Sequence, residues 1–337
     1  MLIYSNYDNL TQGTLSLLES SSVGEIYSIN AVRTNAGIRV FDLYVQAGFD
    51  PTTPKRLVVS IPGQTGTCRG GVKDFAQFTL KNNNLEDFVI IGIYGKPLTK
   101  YRFLEDIQGD MISVTSGSYD DYTSIEELDI SFGGFAIDLP SVDEFPYCDD
   151  EDFIRTVVGY VSTFLSVKEV IIESSSNGAC LAQNMYSRRR DRVSKIITSS
   201  GLPTTSRTFG HSDIINTLNL HGDSDAIVPY LGGAGSGAAA GYTFIGGMDN
   251  LEDYVTNSGN AASLTTNTYG FSPTNLLPET IYDDGVSKIN KMLLVVGGGH
   301  GVSELDDIDV AFNPDNAREM TGDYFYDFIQ KYIPTKW

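Results

Sequence analysis

The chain has 337 residues, of which 41% are hydrophobic and 20% are charged, a balance typical of a globular protein with a sizeable core. Its net charge of −20 repels phosphate backbones, so we expect no nucleic-acid partner. No apolar run reaches the length of a membrane span, so we expect no membrane partner.

The start of the chain and its cysteines bear on the cellular compartment. The first eight residues lack the basic and apolar regions of a signal peptide, so we expect a cytoplasmic location, with secretion as the alternative. The cysteines, Cys68, Cys148 and Cys180, are too few for a disulfide scaffold and lack the spacing of metal ligands. At most one pair bridges, and whether Cys68 and Cys148 form it is open.

The N-terminal part of the chain predicts two kinds of strand. Residues 25–29 and 38–45 alternate apolar and polar side chains, as antiparallel strands do. Residues 56–61 and 88–94 are continuous apolar runs, as expected of strands buried on both faces. Between them, residues 75–82 favour a helix.

Residues 96–147 interrupt this pattern. They are rich in Gly, Ser, Tyr and Asp and show no regular periodicity. A long irregular stretch within a compact domain is usually functional or mobile. We interpret it as an insertion over one end of the sheet, where it could line an active site.

The C-terminal half alternates buried strands with amphipathic helices, which predicts a mostly parallel sheet covered by helices on both faces. The leading antiparallel strands make the sheet mixed. With no internal repeat or linker, residues 1–337 predict a single α/β domain. The predicted strands are 168–173, 195–199, 217–221 and 291–296, and the predicted helices begin at Asp149 and span 179–185, 249–256 and 323–332.

A serine-rich segment, SSSNG at 174–178, joins the predicted strand 168–173 to the helix after it. A strand, a tight turn with small residues around a serine, and a helix form a nucleophile elbow. The turn crowds the residues two before and two after the nucleophile, where Ser174 and Gly178 are both small. Ser176 is therefore the candidate nucleophile, although the pattern alone is common.

A serine nucleophile needs a base and an orienting acid. His300 follows the predicted strand 291–296 and a run of glycines, at the edge where open α/β sheets place their active sites. The loop after strand 217–221 holds two candidate acids, Asp223 and Asp225. The order serine, aspartate, histidine along the chain is that of α/β-hydrolases.

An oxyanion hole requires backbone N–H groups aimed at developing negative charge. In an α/β-hydrolase one comes from the residue after the nucleophile, here Asn177. The other comes from the loop after an early strand, here PGQTG at 62–66, which predicts Gln64 as the donor.

Together these motifs resemble the polyhydroxybutyrate depolymerase and feruloyl esterase group of α/β-hydrolases. That group carries a His-Gly-x-x-Gly loop, a Ser-Asn-Gly or Ser-Gln-Gly elbow, His-Gly-x-x-Asp-x-x-Val-Pro-Tyr and Gly-Gly-Gly-His. The chain matches the last three at 176–178, 221–230 and 297–300. The resemblance runs from about residue 38 to the end of the chain and implies that Asp225, not Asp223, is the acid.

The chain departs from this group in two places. Pro62 replaces the histidine of the oxyanion loop, so the loop must be supported differently. Gly-Val-Ser follows His300 where many relatives have Thr-Trp-Pro, and the one tryptophan of the chain is Trp337. Aromatic contacts to a substrate would therefore come from tyrosine and phenylalanine.

We expect a serine esterase that uses Ser176, His300 and Asp225 and needs no metal or organic cofactor. The expected substrate is a small or polymeric ester, including polyesters of the polyhydroxyalkanoate kind. Two alternatives stay open: a peptidase or amidase with the same residues, and a non-catalytic binding or structural protein on a hydrolase fold. We expect His221 to pack or to form a hydrogen bond below the acid loop, and we expect a surface position for His211.

Overall fold

The computed structural model describes residues 14–20, 24–34, 37–46, 50, 52–63, 87–93, 150–188, 193–205, 216–240, 242–272, 275–300 and 324–331. The strands are β1 (Thr14–Ser20), β2 (Gly24–Thr34), β3 (Gly37–Gln46), β4 (Lys55–Ile61), β5 (Phe88–Ile93), β6 (Val167–Ser175), β7 (Lys195–Ser199), β8 (Asn216–Gly222), β9 (Gly233–Ala234), β10 (Thr243–Phe244), β11 (Leu264–Ser272), β12 (Asn275–Asp283) and β13 (Ile289–Val295). The helices are α1 (Asp150–Phe164), α2 (Ser176–Arg188) and α3 (Gly247–Ser258), and residues 324–330 are also helical.

The strands form a mixed sheet. Eleven of them lie in the order β1-β2-β3-β5-β4-β6-β7-β8-β13-β12-β11, and β9 pairs with β10 in a small second sheet. The central strands, from β5 to β13 in this order, are parallel. The strands at either side pair antiparallel. The predicted α/β fold with a mixed sheet is confirmed.

Helices cover both faces of the sheet. On one face, Val157 of α1 and Leu181 of α2 pack with alternate residues of β4, β5 and β6. On the other face, Phe328 packs with the intervening residues of the same strands. Every residue of β4 and β5 is buried, which explains the apolar runs at 57–59 in β4 and throughout β5. Lys55, Arg56 and Ser60 of β4 are buried polar residues. Among the described residues no helix is both long enough and apolar enough to span a bilayer.

Most of the predicted elements are present with small shifts in their ends. Helix α2 begins at Ser176, three residues before the prediction, and the predicted helix at 323–332 is helical over 324–330. The predicted helix 75–82, the interpreted insertion 96–147, and the residues Cys68, Cys148 and His211 lie outside the described residues.

Three further strands of the large sheet, β1, β11 and β12, lie outside the sequence predictions, as do the two short strands β9 and β10. Residues 264–268 of β11 are all exposed, so this threonine-rich strand shows no apolar alternation. Strand β12 contains Pro278, a residue that argues against a strand in a sequence pattern. Both strands form because they extend the sheet beyond β13, with β11 at its edge.

Candidate active site

Ser176 lies at the junction of strand β6 and helix α2. Its φ of 47° falls in the left-handed region, which a residue with a Cβ seldom adopts. Helix α2 begins at this residue, at the carboxyl end of a central parallel strand. A serine in this conformation between a strand and a helix has the geometry of a nucleophile elbow.

The elbow packs tightly against the end of β4. A Cβ added to Gly178 would lie 2.4 Å from the carbonyl oxygen of Ile61 and 2.5 Å from that of Pro62. The sequence predicts that Ser174 crowds Gly178, but the atoms nearest to a Cβ at position 178 belong to the end of β4 and the loop after it. Ser174 is itself 1% exposed, and its hydroxyl donates to the carbonyl oxygen of Ile197 at 3.3 Å.

A hydrogen bond ties the loop after β4 to the elbow. The backbone N–H of Gly63 donates to Oγ of Ser175 at 3.0 Å. A Cβ added to Gly63 would lie 2.9 Å from Cβ of Ser176, so this loop passes directly beside the serine. Proline has no N–H, so Pro62 offers no donor of its own. Ser175 thus supports the loop where the resembled group carries a histidine.

His300 reaches the serine from the loop after β13. Its Nε2 lies 2.7 Å from Oγ of Ser176. The His300 side chain is 19% exposed, so it is mostly covered but still open on one side. This is the position that a general base needs, because it must contact both the serine and an incoming molecule.

Asp225 holds the other side of the His300 ring. Its Oδ2 lies 2.8 Å from Nδ1 of His300, and its Oδ1 accepts from the backbone N–H groups of Ile227 at 2.8 Å and Val228 at 2.9 Å. Asp223, the other candidate acid, is exposed and accepts instead from the backbone N–H of Gly297. The structure therefore joins Asp225, not Asp223, to the histidine.

The hydrogen bonds of Asp225 determine its charge. Burial raises the pKa of this carboxyl, but hydrogen bonds from His221, His300 and the Val228 backbone outweigh burial and hold the pKa well below its usual range. Asp225 is therefore ionised at neutral pH. Because a carboxylate only accepts, Nδ1 of His300 carries the proton, and its Nε2 is left to accept from Ser176.

The two loops that carry the acid and the histidine are docked through their backbones. A Cβ added to Gly222, at the end of β8, would lie 2.2 Å from the carbonyl oxygen of Gly298. The N–H of Ser224 donates to that same oxygen at 2.9 Å, and the N–H of Asp223 donates to Val295 at 3.1 Å. These bonds extend the pairing of β8 with β13 beyond the strands, so the loop positions follow from the sheet.

Of the two predicted oxyanion donors, the structure describes Asn177 only. Asn177 is 2% exposed and lies in the first turn of α2, where the helix dipole favours negative charge. Its position next to Ser176 is the one expected of an oxyanion donor. Gln64 lies outside the described residues, whose last member in this loop is Gly63.

The described part of the chain holds no group of three or more His, Cys, Asp or Glu side chains that is arranged to bind a metal ion. Cys180 is buried in α2. The site brings together a serine hydroxyl, an imidazole and a carboxylate in hydrogen-bonded sequence.

The mixed sheet and the strand-serine-helix junction at its carboxyl edge decide the fold. The chain has the α/β-hydrolase fold. No protein-family model matches it, and no curated protein matches it significantly.

Several solved structures are similar to the chain in shape. A CE1 ferulic acid esterase from Anaeromyces mucronatus is 11% identical, with 97% of this chain and 95% of that chain covered and a TM-score of 0.48. An acetyl xylan esterase from Aspergillus awamori is 13% identical, with 86% and 94% covered and a TM-score of 0.43. Esterase PE8 is 14% identical, with 83% and 96% covered and a TM-score of 0.42.

Proposed function

We propose that this chain is a serine hydrolase that cleaves carboxylic esters. One observation carries the proposal: Asp225, His300 and Ser176 form an unbroken hydrogen-bonded series with distances of 2.8 Å and 2.7 Å. The serine at its end lies at a strained junction, which holds the hydroxyl out of the helix and toward a substrate.

The first half of the proposed reaction is acylation. Oγ of Ser176 attacks the ester carbonyl while its proton passes to Nε2 of His300. The negative charge that forms on the carbonyl oxygen is held by backbone N–H groups, with Asn177 and Gln64 as the proposed donors. The bond to the leaving alcohol then breaks, and the imidazolium of His300 returns the proton to that alcohol. Asp225 stabilises the imidazolium throughout.

The second half is deacylation. Water attacks the acyl group on Ser176 while His300 takes a proton from it. The bond between Oγ and the acyl carbon then breaks, the proton returns to Ser176, and a carboxylic acid leaves. No residue is consumed and no cofactor enters either half.

A fluorophosphonate probe tests the nucleophile directly. It phosphonylates an activated serine and needs no knowledge of the natural substrate. We expect rapid labelling of the wild-type protein, slow labelling of His300→Gln, and none of Ser176→Ala. Ser174→Ala serves as the matched control, because it removes a hydroxyl two residues before Ser176 in the same elbow. Equal labelling of Ser176→Ala and wild type would refute the assignment.

A second comparison tests whether the protein cleaves ester bonds or amide bonds. We expect turnover of p-nitrophenyl butyrate by the wild type and much slower turnover of a peptide anilide, since an alcohol leaves more readily than an amine. The opposite ranking would identify a peptidase or amidase. Labelling without turnover of either substrate would leave only the nucleophile established.

The acyl group is the finer part of the proposal. The sequence resemblance supports esters of hydroxyalkanoates as candidates, and it also supports feruloyl esters. A panel of short acyl esters, hydroxybutyrate oligomers and a feruloyl ester separates these classes by kcat/KM. A polyester preference predicts the highest value for the oligomers, and equal values across the panel would contradict it.

A further inference from the structure

A second histidine lies against the carboxylate of Asp225. His221 is 1% exposed and belongs to strand β8. Its Nε2 lies 2.8 Å from the carbonyl oxygen of Val228 and 3.3 Å from Oδ2 of Asp225. A carbonyl oxygen and a carboxylate both only accept, so Nε2 of His221 carries a proton and donates to both.

The same oxygen of Asp225 therefore receives two imidazoles. Oδ2 accepts from Nδ1 of His300 at 2.8 Å, and Nε2 of His221, whose shorter bond is to Val228, lies 3.3 Å from the same oxygen. Oδ1 is occupied by the backbone N–H groups of Ile227 and Val228. An ionised carboxylate has about four acceptor positions, and all of them are used here.

We propose that His221 is a positioning residue of the active site, which orients the Asp225 carboxylate and sets how much of its charge reaches His300. The inference rests on the proposed function, because it assigns His221 a part in keeping His300 a competent base. His221 does not touch the reacting atoms, so it acts only through Asp225.

The expected consequence concerns the protonation of His300. The negative charge on Oδ2 favours the imidazolium form of His300. A second N–H donor on that oxygen draws part of this charge away. Loss of this donor should therefore leave more charge on Oδ2 and make the proton on His300 harder to remove, which the pH dependence of the reaction measures.

Other titratable groups face this cluster. The ring of Tyr230 lies 6.1 Å from that of His221. Burial and the nearby Asp223 raise the pKa of Tyr230, so the tyrosine stays neutral across the range tested. Asp223 lies in the same loop, with Oδ1 taken by the N–H of Gly297 and by the hydroxyl of Ser224. Neither group is altered in the variants below.

Two substitutions separate donation from mere packing. His221→Leu keeps an apolar side chain in the buried space and removes the donor. His221→Gln keeps an N–H donor at about the reach of Nε2. Asn219→Leu is the matched control, because Asn219 is a buried polar residue on the same face of β8 and its bond goes to Thr198.

The readout is the rate of fluorophosphonate labelling against pH, measured per folded molecule. We expect the acid limb of His221→Leu to move to higher pH by about half to one unit. Labelling at pH 5 should then fall about three- to ten-fold, while the rate on the alkaline plateau changes less. His221→Gln and Asn219→Leu should keep the wild-type limb.

A loss of packing would lower the rate equally at every pH, because it does not change the base. An unmoved acid limb in folded His221→Leu overturns the proposal. So does a limb in His221→Gln that matches His221→Leu, since that result would show that the N–H donor does not matter.

A final measurement separates this inference from the proposed function. The imidazole signals of His300 can be titrated by NMR in the chain carrying either variant, even if the protein labels with no probe and cleaves no ester. A higher His300 pKa in His221→Leu than in wild type supports the inference in either case. An unchanged pKa refutes it. Failure of labelling in the wild type refutes the proposed function alone.

Discussion

The two ends of the central parallel strands each hold a buried carboxylate, and the two carboxylates have different partners. At the carboxyl edge, Asp225 lies between the imidazoles of His221 and His300. At the amino edge, Glu169 is 0% exposed and lies 3.3 Å from Nε of Arg56 and in contact with Nζ of Lys195. One carboxylate contacts imidazoles, which can accept and return a proton, and the other contacts cations.

The difference shows why only one edge suits proton transfer. Glu169 also accepts from the hydroxyl of Ser194, and Arg56 donates to Gln330 in the helical residues 324–330. This amino-edge cluster fastens β4, β6, β7 and that helix together. At the carboxyl edge the partner imidazole can take a proton from a serine and return it, because its charge is variable. Both edges bury a carboxylate. Cationic partners make the one at the amino edge structural, and an imidazole partner makes the one at the carboxyl edge suitable for proton transfer.

Asp225→Asn should produce the largest effect in this comparison. The amide can donate to Nδ1 of His300, which places the ring proton on Nε2 and leaves no acceptor for Ser176. We expect kcat to fall by about 10⁴-fold, as for the equivalent change in a serine protease. Ester hydrolysis under saturating substrate measures this. A fall of less than ten-fold would mean that Asp225 does not orient the base.

Glu169→Gln should strongly reduce stability and leave the reaction rate almost unchanged. It leaves Arg56 and Lys195 buried without a counter-charge, so we expect the free energy of unfolding to fall by about 3–5 kcal/mol. The rate per folded molecule should stay within two-fold of wild type. Urea unfolding and an ester assay measure the two quantities. Glu252→Gln, at an exposed position on α3, is the control and should change stability by less than about 0.5 kcal/mol.

Because the pKa of Asp225 is low in the folded chain, acid should reduce the free energy of unfolding. The unfolded chain binds a proton at Asp225 near pH 4, whereas the folded chain does so only at lower pH. The stability that this group contributes is therefore complete at neutral pH and is lost as the pH falls below about 4. Asp225→Asn should flatten the decline by up to about 1.4 kcal/mol per pH unit. Identical slopes below pH 4 in urea unfolding of the two proteins would contradict this.

Ser175→Ala should give the smallest effect. It removes the acceptor for the N–H of Gly63 and loosens the loop that passes beside Ser176. We expect kcat to fall about three- to ten-fold, the equivalent of one hydrogen bond of about 1 kcal/mol, with KM little changed. Ser175→Thr keeps the hydroxyl and should restore most of the rate. A change confined to KM would place Ser175 in substrate binding instead.

The sequence alone predicted the alternating strands and helices of the central sheet and the residues that meet at the site. Strands buried on both faces stand out in the sequence as apolar runs, as in β4 and β5. Residues 174–178 place small side chains around a serine between a predicted strand and a predicted helix. Ser176 and His300 could be named because each follows a strand, and the carboxyl ends of parallel strands meet at one edge. The same reasoning left Asp223 and Asp225 as candidate acids, and the family resemblance selected Asp225. The exposed strand β11 carried no such signal.

Other features were decided only by the tertiary structure. Sequence patterns placed His221 below the acid loop without showing that its Nε2 shares an oxygen with His300. The hydrogen bond from Gly63 to Ser175 supports the loop at Pro62, and no sequence pattern predicts this bond. Periodicity reports which residues face the core, because burial repeats along a strand or helix. Contacts between loops from different strands depend on register and backbone approach, which the order of residues along the chain does not display.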